Sequence, residues 1–407
     1  MSDDVRHVPA WEGGPTTVVE RASTGRAALA TVLLFAAGAG LAQAFLPVAL
    51  LAAGLGPVGI GLCAGFVLAA DAVLASLPTE QSRLTTLAVG GCASLGATAW
   101  VLVPALAPLL AGATAVTGTV AVRAWRPADG TAAGTHGWRL ALAAVFAGLL
   151  AATGTVTTGF SVFAGLVAAV GVTAVVVAGV VDTPTVPRTR ERPGRLRPPS
   201  ALGWAVAELT TSQRRALTAT VLVRTAEAAI GTFLVVWLLA WPRPTLALAG
   251  TTLGPASTAA LVLGVVSLGA LVGHHGRARL VARFGPESVL AAAALVVTVV
   301  PLLLAGPATE PLSILAVLGC YGLRHGAEPL RARLLDGQIG ALATPAPPWT
   351  RGLGTLVVAL GPALGGVLYA LSPTLLFSAA GAVGLLAVHQ YVHLFGWQPG
   401  HAPGGGR

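Results

Sequence analysis

The chain has 407 residues, a formal net charge of +9 and a mean hydropathy of +0.80, with 55% hydrophobic and only 10% charged residues. Soluble domains carry roughly a quarter charged residues, so this chain could not dress a water-facing surface all round. Its basic excess is not a nucleic-acid footprint either: lysine is absent, and almost all of the 24 basic residues are arginines in short loops between apolar runs.

Repeated apolar runs of about 20 residues predict transmembrane helices, each able to cross ~30 Å of hydrocarbon. The runs are continuous rather than alternating, so strands and a barrel are not expected. The polar, partly acidic segment 1–26 lacks the short basic start and cleavage site of a signal peptide, which makes the first apolar run a retained span. Spans follow at about 27–45 and 56–77, with a polar turn at 79–83. The run 84–124 is double length and divides near Pro104, where proline disfavours helix continuation. After a polar loop, the run 140–181 is also double length and divides in the Thr/Gly-rich segment 153–159. Residues 27–182 thus form a six-helix unit.

The stretch from Asp182 to Arg215 is the polar divide, with seven arginines and five prolines. Residues 183–215 are predicted to be a basic cytoplasmic linker. Within it, Leu202, Val206 and Leu209 at helical spacing, beside Trp204, predict a short interfacial helix over 201–209. A second six-helix unit spans 216–394, with helices at about 216–240, 254–273, 287–305, 311–332, 352–370 and 374–394. Residues 395–407 form a polar tail. The expected fold is an all-α membrane protein of twelve transmembrane helices in two pseudo-symmetric six-helix bundles.

Charge placement supports twelve. With both termini inside, 21 arginines fall on the cytoplasmic side, Arg243 alone falls opposite, and Arg224 and Arg324 lie within spans. That is the asymmetry of the positive-inside rule. Leu55-Gly56-Pro57 opens span two and Leu253-Gly254-Pro255 opens span eight, an echo of the internal repeats found in secondary transporters.

Two six-span halves joined by a basic loop resemble the major facilitator superfamily. The segment 207–228 looks like the seventh-helix entry of a prokaryotic subset of that superfamily, with Arg224-x-x-Glu227. The segment 321–336 looks like its tenth helix, with Gly322-Leu323-Arg324 followed by Glu328-Pro329-x-Arg331. The element Gly361-Pro362-x-x-Gly365-Gly366 is similar to one in the fifth helix of drug antiporters, here in the pseudo-symmetric eleventh span. The loop after span two, 74–86, lacks the Asp-Arg pair and glycines usual in the superfamily, and the basic loop 273–285 after span eight lacks the Asp. The chain is thus expected to be a diverged prokaryotic member. The resemblance implies that helices one, four, seven and ten line a central cavity.

Charges inside spans need partners or water, because each costs roughly 2.5–3.5 kcal/mol on insertion scales. Arg224 and Glu227 share a face of span seven, and Arg324 and Glu328 share a face of span ten. A cross-helix network is predicted, pairing Arg224 with Glu328 or Glu227, and Arg324 with Glu227. It would be a static structural bridge, serve gating or proton coupling, or contact the substrate directly. Asp71 in span two is a proton carrier or bonds a neighbouring helix, including the end of span eleven near Arg351. His325 is a pH-sensor candidate or a neutral histidine on a backbone carbonyl. Gln43, Thr114 and Thr117 are substrate-cavity candidates, and their sparse polarity suits a hydrophobic, weakly polar or cationic solute.

Cys63, Cys92 and Cys320 are scattered in apolar runs and predict neither a disulfide nor a metal site. No catalytic constellation and no cofactor motif is present, and without lysine no phosphate-cradling P-loop is possible. The sequence therefore reads as a secondary transporter, not an enzyme, expected to be a monomer in the cytoplasmic membrane. Its partners would be lipid, a small solute and protons, with proton-coupled export as the expected mode. The alternative is a non-transporting relative acting as sensor, scaffold or lipid handler.

Overall fold

Proline opens five of the helices described in the computed structural model, which describes residues 47, 50–51, 54–76, 209–240, 247–248, 251–252, 255–306, 311–331, 333–334 and 348–396. These helices are α1 (Pro57–Ser76), α2 (Thr211–Ala240), α3 (Pro255–Ala305), α4 (Pro311–Leu323), α5 (Pro348–Leu371) and α6 (Pro373–Leu394). Proline suits a first helical position because the amide hydrogen it lacks would be unpaired there and its φ is already helical. Both Leu-Gly-Pro elements prove to be such starts, at Pro57 and Pro255.

α2 begins differently. Thr210 and Gln213 form a reciprocal cap: the Gln213 amide donates to Thr210 Oγ1 at 3.3 Å, and the Thr210 amide donates to Gln213 Oε1 at 2.9 Å. This Thr-x-x-Gln box satisfies two otherwise orphaned donors and starts the helix at Thr211, five residues ahead of the expected 216. At the same end, Arg215 donates to the His393 carbonyl at 3.2 Å, tying the start of α2 to the last turn of α6.

The segment 273–285, expected as a loop, is helical. α3 runs through His274, His275 and Arg277 without a break until Gly285, at φ 79° and ψ 157°. The arginines, alanines and leucines there are good helix formers. Only glycine takes that left-handed φ cheaply, and Pro286 behind it restarts the helix. α3 is therefore two helices joined at one residue. Its first part packs on α4 and its second part on α6. Against the expectation of no strands, Ala247–Leu248 and Thr251–Thr252 pair antiparallel in the connection between α2 and α3.

Among the described residues, three helical stretches are long and apolar enough to cross a membrane, Thr211–Leu238, Gly264–Ala305 and Pro373–Leu394; Pro57–Ala69 and Leu356–Leu371 are shorter apolar helices. Phe233 stacks on Tyr369 with centroids 5.0 Å apart, and Trp237 meets Phe377 edge-on at 5.4 Å, which binds α2 to α5 and α6.

Glycine sets the closest approaches. A Cβ on Gly269 would strike the Gly319 carbonyl, and one on Gly273 the Leu323 carbonyl; from the other side, Gly322 faces Val266 and Gly326 faces Gly273. Such small-residue stripes let helix backbones touch where lipid offers no hydrophobic drive between helices. The same device joins α1 to α5, with Gly61 against Pro362, Gly65 against Ala359 and Gly366 against Pro57. The Gly-Pro-x-x-Gly-Gly element is thus a packing surface, since Gly361 also meets Thr225 of α2. Predicted spans one and three to six, the linker up to residue 208 and the tails 1–26 and 397–407 lie outside the described residues. So does most of the expected interfacial helix, and Leu209 at its end is a bend.

Candidate functional site

The tenth predicted span is not one continuous α-helix. α4 ends at Leu323, residues Arg324–Ala327 tighten into a 3-10 turn, and helix resumes beyond it. A 3-10 stretch inside a helix marks a hinge or a strained sequence. Every charged residue predicted for this span lies in or beside the turn.

Glu227 is the centre of the cluster. It sits near the middle of the apolar stretch Thr211–Leu238, and its side chain is 12% exposed. Arg331 grips it with a fork: Nη1 donates to Oε2 at 3.0 Å and Nη2 donates to Oε1 at 2.9 Å. Parallel bonds of this kind are among the strongest and most directional that side chains make. Arg324 Nε approaches Glu227 Oε1 at 3.3 Å, a charge contact without hydrogen-bond alignment. Both arginines are buried.

Tyr321 builds the pocket for Arg324. The guanidinium carbon lies 3.4 Å from the Tyr321 ring centroid, and Nη1 donates to the Tyr321 carbonyl at 2.6 Å. The Tyr321 hydroxyl donates to the Glu227 backbone carbonyl at 3.4 Å, so ring, guanidinium and carboxylate form one closed group. His325 and Glu328 form a second pair at the rim, with His325 Nδ1 and Glu328 Oε1 2.7 Å apart and side chains 24% and 27% exposed. The turn sits where Gly326 packs on Gly273, so α3 backs the cluster.

The expected contact between Arg324 and Glu227 is present. The expected pairing of Arg224 is not: Arg224 is exposed on α2 and takes no part in the cluster. Glu227 lies about 160° around the helix from Thr225 and Ala229, which face α5, and meets the turn and helix after α4, whereas Arg224 lies about 60° away from it toward the α5 side. Arg331, expected in a cytoplasmic loop, fills the place foreseen for Arg224. Arg324, Glu328 and Arg331 are spaced four and three apart, so one helical face carries all three; that spacing was the available signal. The charge assignment hid it, because Arg331 at the end of the predicted span 311–332 was counted with the cytoplasmic arginines, whereas helix continues past the turn to it.

Asp71 lies on α1, and its side chain is outside the described residues. The antiparallel register of α1 on α5 carries it toward the end of α5 that bears Arg351. Gln43, Thr114 and Thr117 lie outside the described residues. Among the described residues, no three His, Cys, Asp or Glu side chains gather to hold a metal ion.

No protein-family model matches the sequence, and no curated protein matches it. Solved structures do. The chain aligns over 92% of its length with 99% of the nucleoside transporter NupG, at TM-score 0.66 and 10% identity. It aligns with the peptide transporter POT in complex with sulfate over 92% of this chain and 94% of that one, at TM-score 0.61 and 15% identity. A third is a POT family transporter in complex with thioalcohol conjugated peptide, covering 93% and 96%, at TM-score 0.60 and 14% identity. At such identities the shared property is the fold, that of a multi-pass membrane transporter.

Proposed function

Because the chain has a fold like that of the major facilitator superfamily transporters, we propose that it is a secondary active transporter moving a small organic solute by alternating access. The fold likeness, which spans more than nine-tenths of the chain, carries this reading. Peptide and nucleoside are the named cargo of the neighbours, and the support here extends to the class of small solutes. The reading is transport rather than catalysis.

In this reading, two six-helix bundles, 27–182 and 216–394, are joined by the linker 183–215, with both termini cytoplasmic in the cell membrane. The arginine asymmetry supports that orientation. The backbone contact of α1 with α5 supplies a bearing surface on which one bundle can rock against the other. Coupling to protons, with export as the direction, is assigned to the charged groups of the spans. Glu227 with Arg324 and Arg331 would hold the second bundle as a unit, and Asp71, His325 and Glu328 are the remaining candidates for proton coupling.

The test is proton flux in proteoliposomes under an imposed pH gradient, across a panel of small organic solutes, for wild type and Asp71→Asn. Solute-stimulated flux in wild type is the expected result, and its loss in the variant would place Asp71 in coupling. Folded protein that gives neither solute nor proton flux would overturn the transporter reading.

A further inference from the structure

Three sides of α2 are occupied. Thr225 and Ala229 meet Gly361 and Gly365 of α5. Glu227 meets Arg324 and Arg331 beyond α4. Trp237 meets Phe377 of α6. Between the α5 side and the α4 side lies a fourth face, on which Leu217, Arg224, Ala228 and Gly231 recur at seven, four and three residues. None of the four is buried, and Arg224 and Gly231 are exposed. α1 lies along α5 and also touches α2.

Arg224 lies about 14 Å deeper along the axis than Arg214 and Arg215, which mark the polar end of α2. A guanidinium at that depth is costly against hydrocarbon and stable against a water-filled space. Its near neighbour Glu227 cannot neutralise it, since both Glu227 oxygens are already taken by Arg331 and Arg324. Arg224 makes no ion pair among the described residues. The result is one exposed positive charge on an otherwise apolar face that Val235, four residues beyond Gly231, closes at its far end.

We infer that Arg224 is the anchoring point for the cargo, and that the cargo is a monoanion, a carboxylate on an apolar body. The proposal rests on the transporter reading and sharpens it. A guanidinium fork matches a carboxylate in shape and charge. A single arginine matches one negative charge, where a phosphate dianion would call for a cluster of cations. Leu217, Ala228 and Gly231 leave room for an apolar body and offer it no hydrogen bonds. The sequence had favoured a neutral or cationic solute from the thin polarity of the first half. The position of Arg224 in the second half reverses that preference.

The experiment measures binding of benzoate, benzamide and benzylammonium to the purified full chain, by ligand-dependent thermal shift and by equilibrium binding. Wild type is expected to bind benzoate at least tenfold more tightly than either isostere. Arg224→Gln should lose that preference, and Arg224→Lys should keep part of it. Arg224 is exposed and outside the buried cluster, so both variants are expected to melt as wild type does, and melting is recorded first. Equal binding of the three probes, no benzoate binding by wild type, or an unchanged preference in Arg224→Gln would each overturn the proposal. Binding needs no transport, so benzoate selectivity without flux would sink only the transporter reading. Solute flux indifferent to Arg224 and to carboxylates would sink only this one.

Discussion

Glu227 and Arg331 are 104 residues apart in sequence and meet through two parallel hydrogen bonds of 3.0 and 2.9 Å inside the second half of the chain. The contact closes α2 onto the helix that resumes after the 3-10 turn. Neither side chain has water to fall back on, so each is committed to the other. Removing Arg331 leaves Glu227 with the unaligned Arg324 contact alone, and removing Glu227 strands two buried arginines. Arg331→Leu should therefore cost on the order of 3–5 kcal/mol, and the triple variant Glu227→Leu/Arg324→Leu/Arg331→Leu, which leaves none of the three charges unpaired, should recover a large part of it. Arg331→Lys should fall in between, because an ammonium cannot reproduce the fork. Thermal melting of the four detergent-purified proteins checks this, and equal melting of Arg331→Leu and wild type would dismiss the lock.

The glycine stripes make a sharper steric prediction. Gly269→Ala and Gly322→Ala each put a methyl group into a facing backbone, so α3 and α4 must separate. Overpacking of this kind costs about 1–3 kcal/mol. Gly264→Ala lies on the same helix as Gly269 with nothing within 4 Å of the added carbon, and it should be neutral or slightly stabilising. A melting series over these three variants separates helix propensity from helix contact. Equal effects at all three would show that the stripe does not bear the load.

The parts of this fold that follow from local chemistry were legible in sequence. Proline starts and the span ends near Ala240, Ala305 and Leu394 depend on residues within a turn or two of one another, and the meeting of Arg324 with Glu227, far apart in sequence, followed from the need of in-span charges for partners. What escaped depended on where helix continues beyond the apolar run. Hydropathy ends a span where polar residues begin, but an α-helix ends only where a breaker or a cap ends it. His274 to Phe284 stay helical until Gly285, and Arg331 stays helical beyond Pro329, so one loop became a helix and one loop arginine became the main partner of Glu227. The face taken by Arg224 is likewise set by neighbours far away in sequence, Gly361 on one side and Arg331 on the other.

The cap on α2 is small in energy and specific in place. Thr210→Ala leaves the Gln213 amide without its side-chain acceptor at the helix start, where caps are worth roughly 1 kcal/mol. The loss should appear as faster amide exchange at 212–215, about fivefold if opening of the first turn governs it. Gln213→Ala should add little to it at those amides, since the two side chains act as one reciprocal unit. Additive effects would mean two independent caps. Arg215 reaches the His393 carbonyl from the same turn, so exchange near the end of α6 should quicken in step.

The contact of α1 with α5 ties packing to the proposed motion. Gly366 lies against the Pro57 carbonyl and Gly61 against Pro362, so the two backbones meet with no side chain between them. Gly366→Val inserts a branched side chain at that contact. The helix itself tolerates valine at a cost of well under 1 kcal/mol relative to alanine, so the fold of each half should survive. The seam should not. If rocking of two halves moves the cargo, this arrangement is one end of the stroke, and Gly366→Val should depopulate it. Flux in proteoliposomes should then drop severalfold at unchanged expression and with melting lowered by only a few degrees. A cysteine pair across the seam at Gly65 and Ala363, in a chain freed of its three native cysteines, gives the converse. The Cβ of the new residue at 65 would start about 3.5 Å from that at 363, within disulfide range, but 2.6 Å from the Ala359 carbonyl, so the flux of the reduced variant is the baseline. Oxidation should hold the seam shut and stop flux, and reduction should restore it. Flux that persists through complete cross-linking would mean that α1 and α5 do not part during transport.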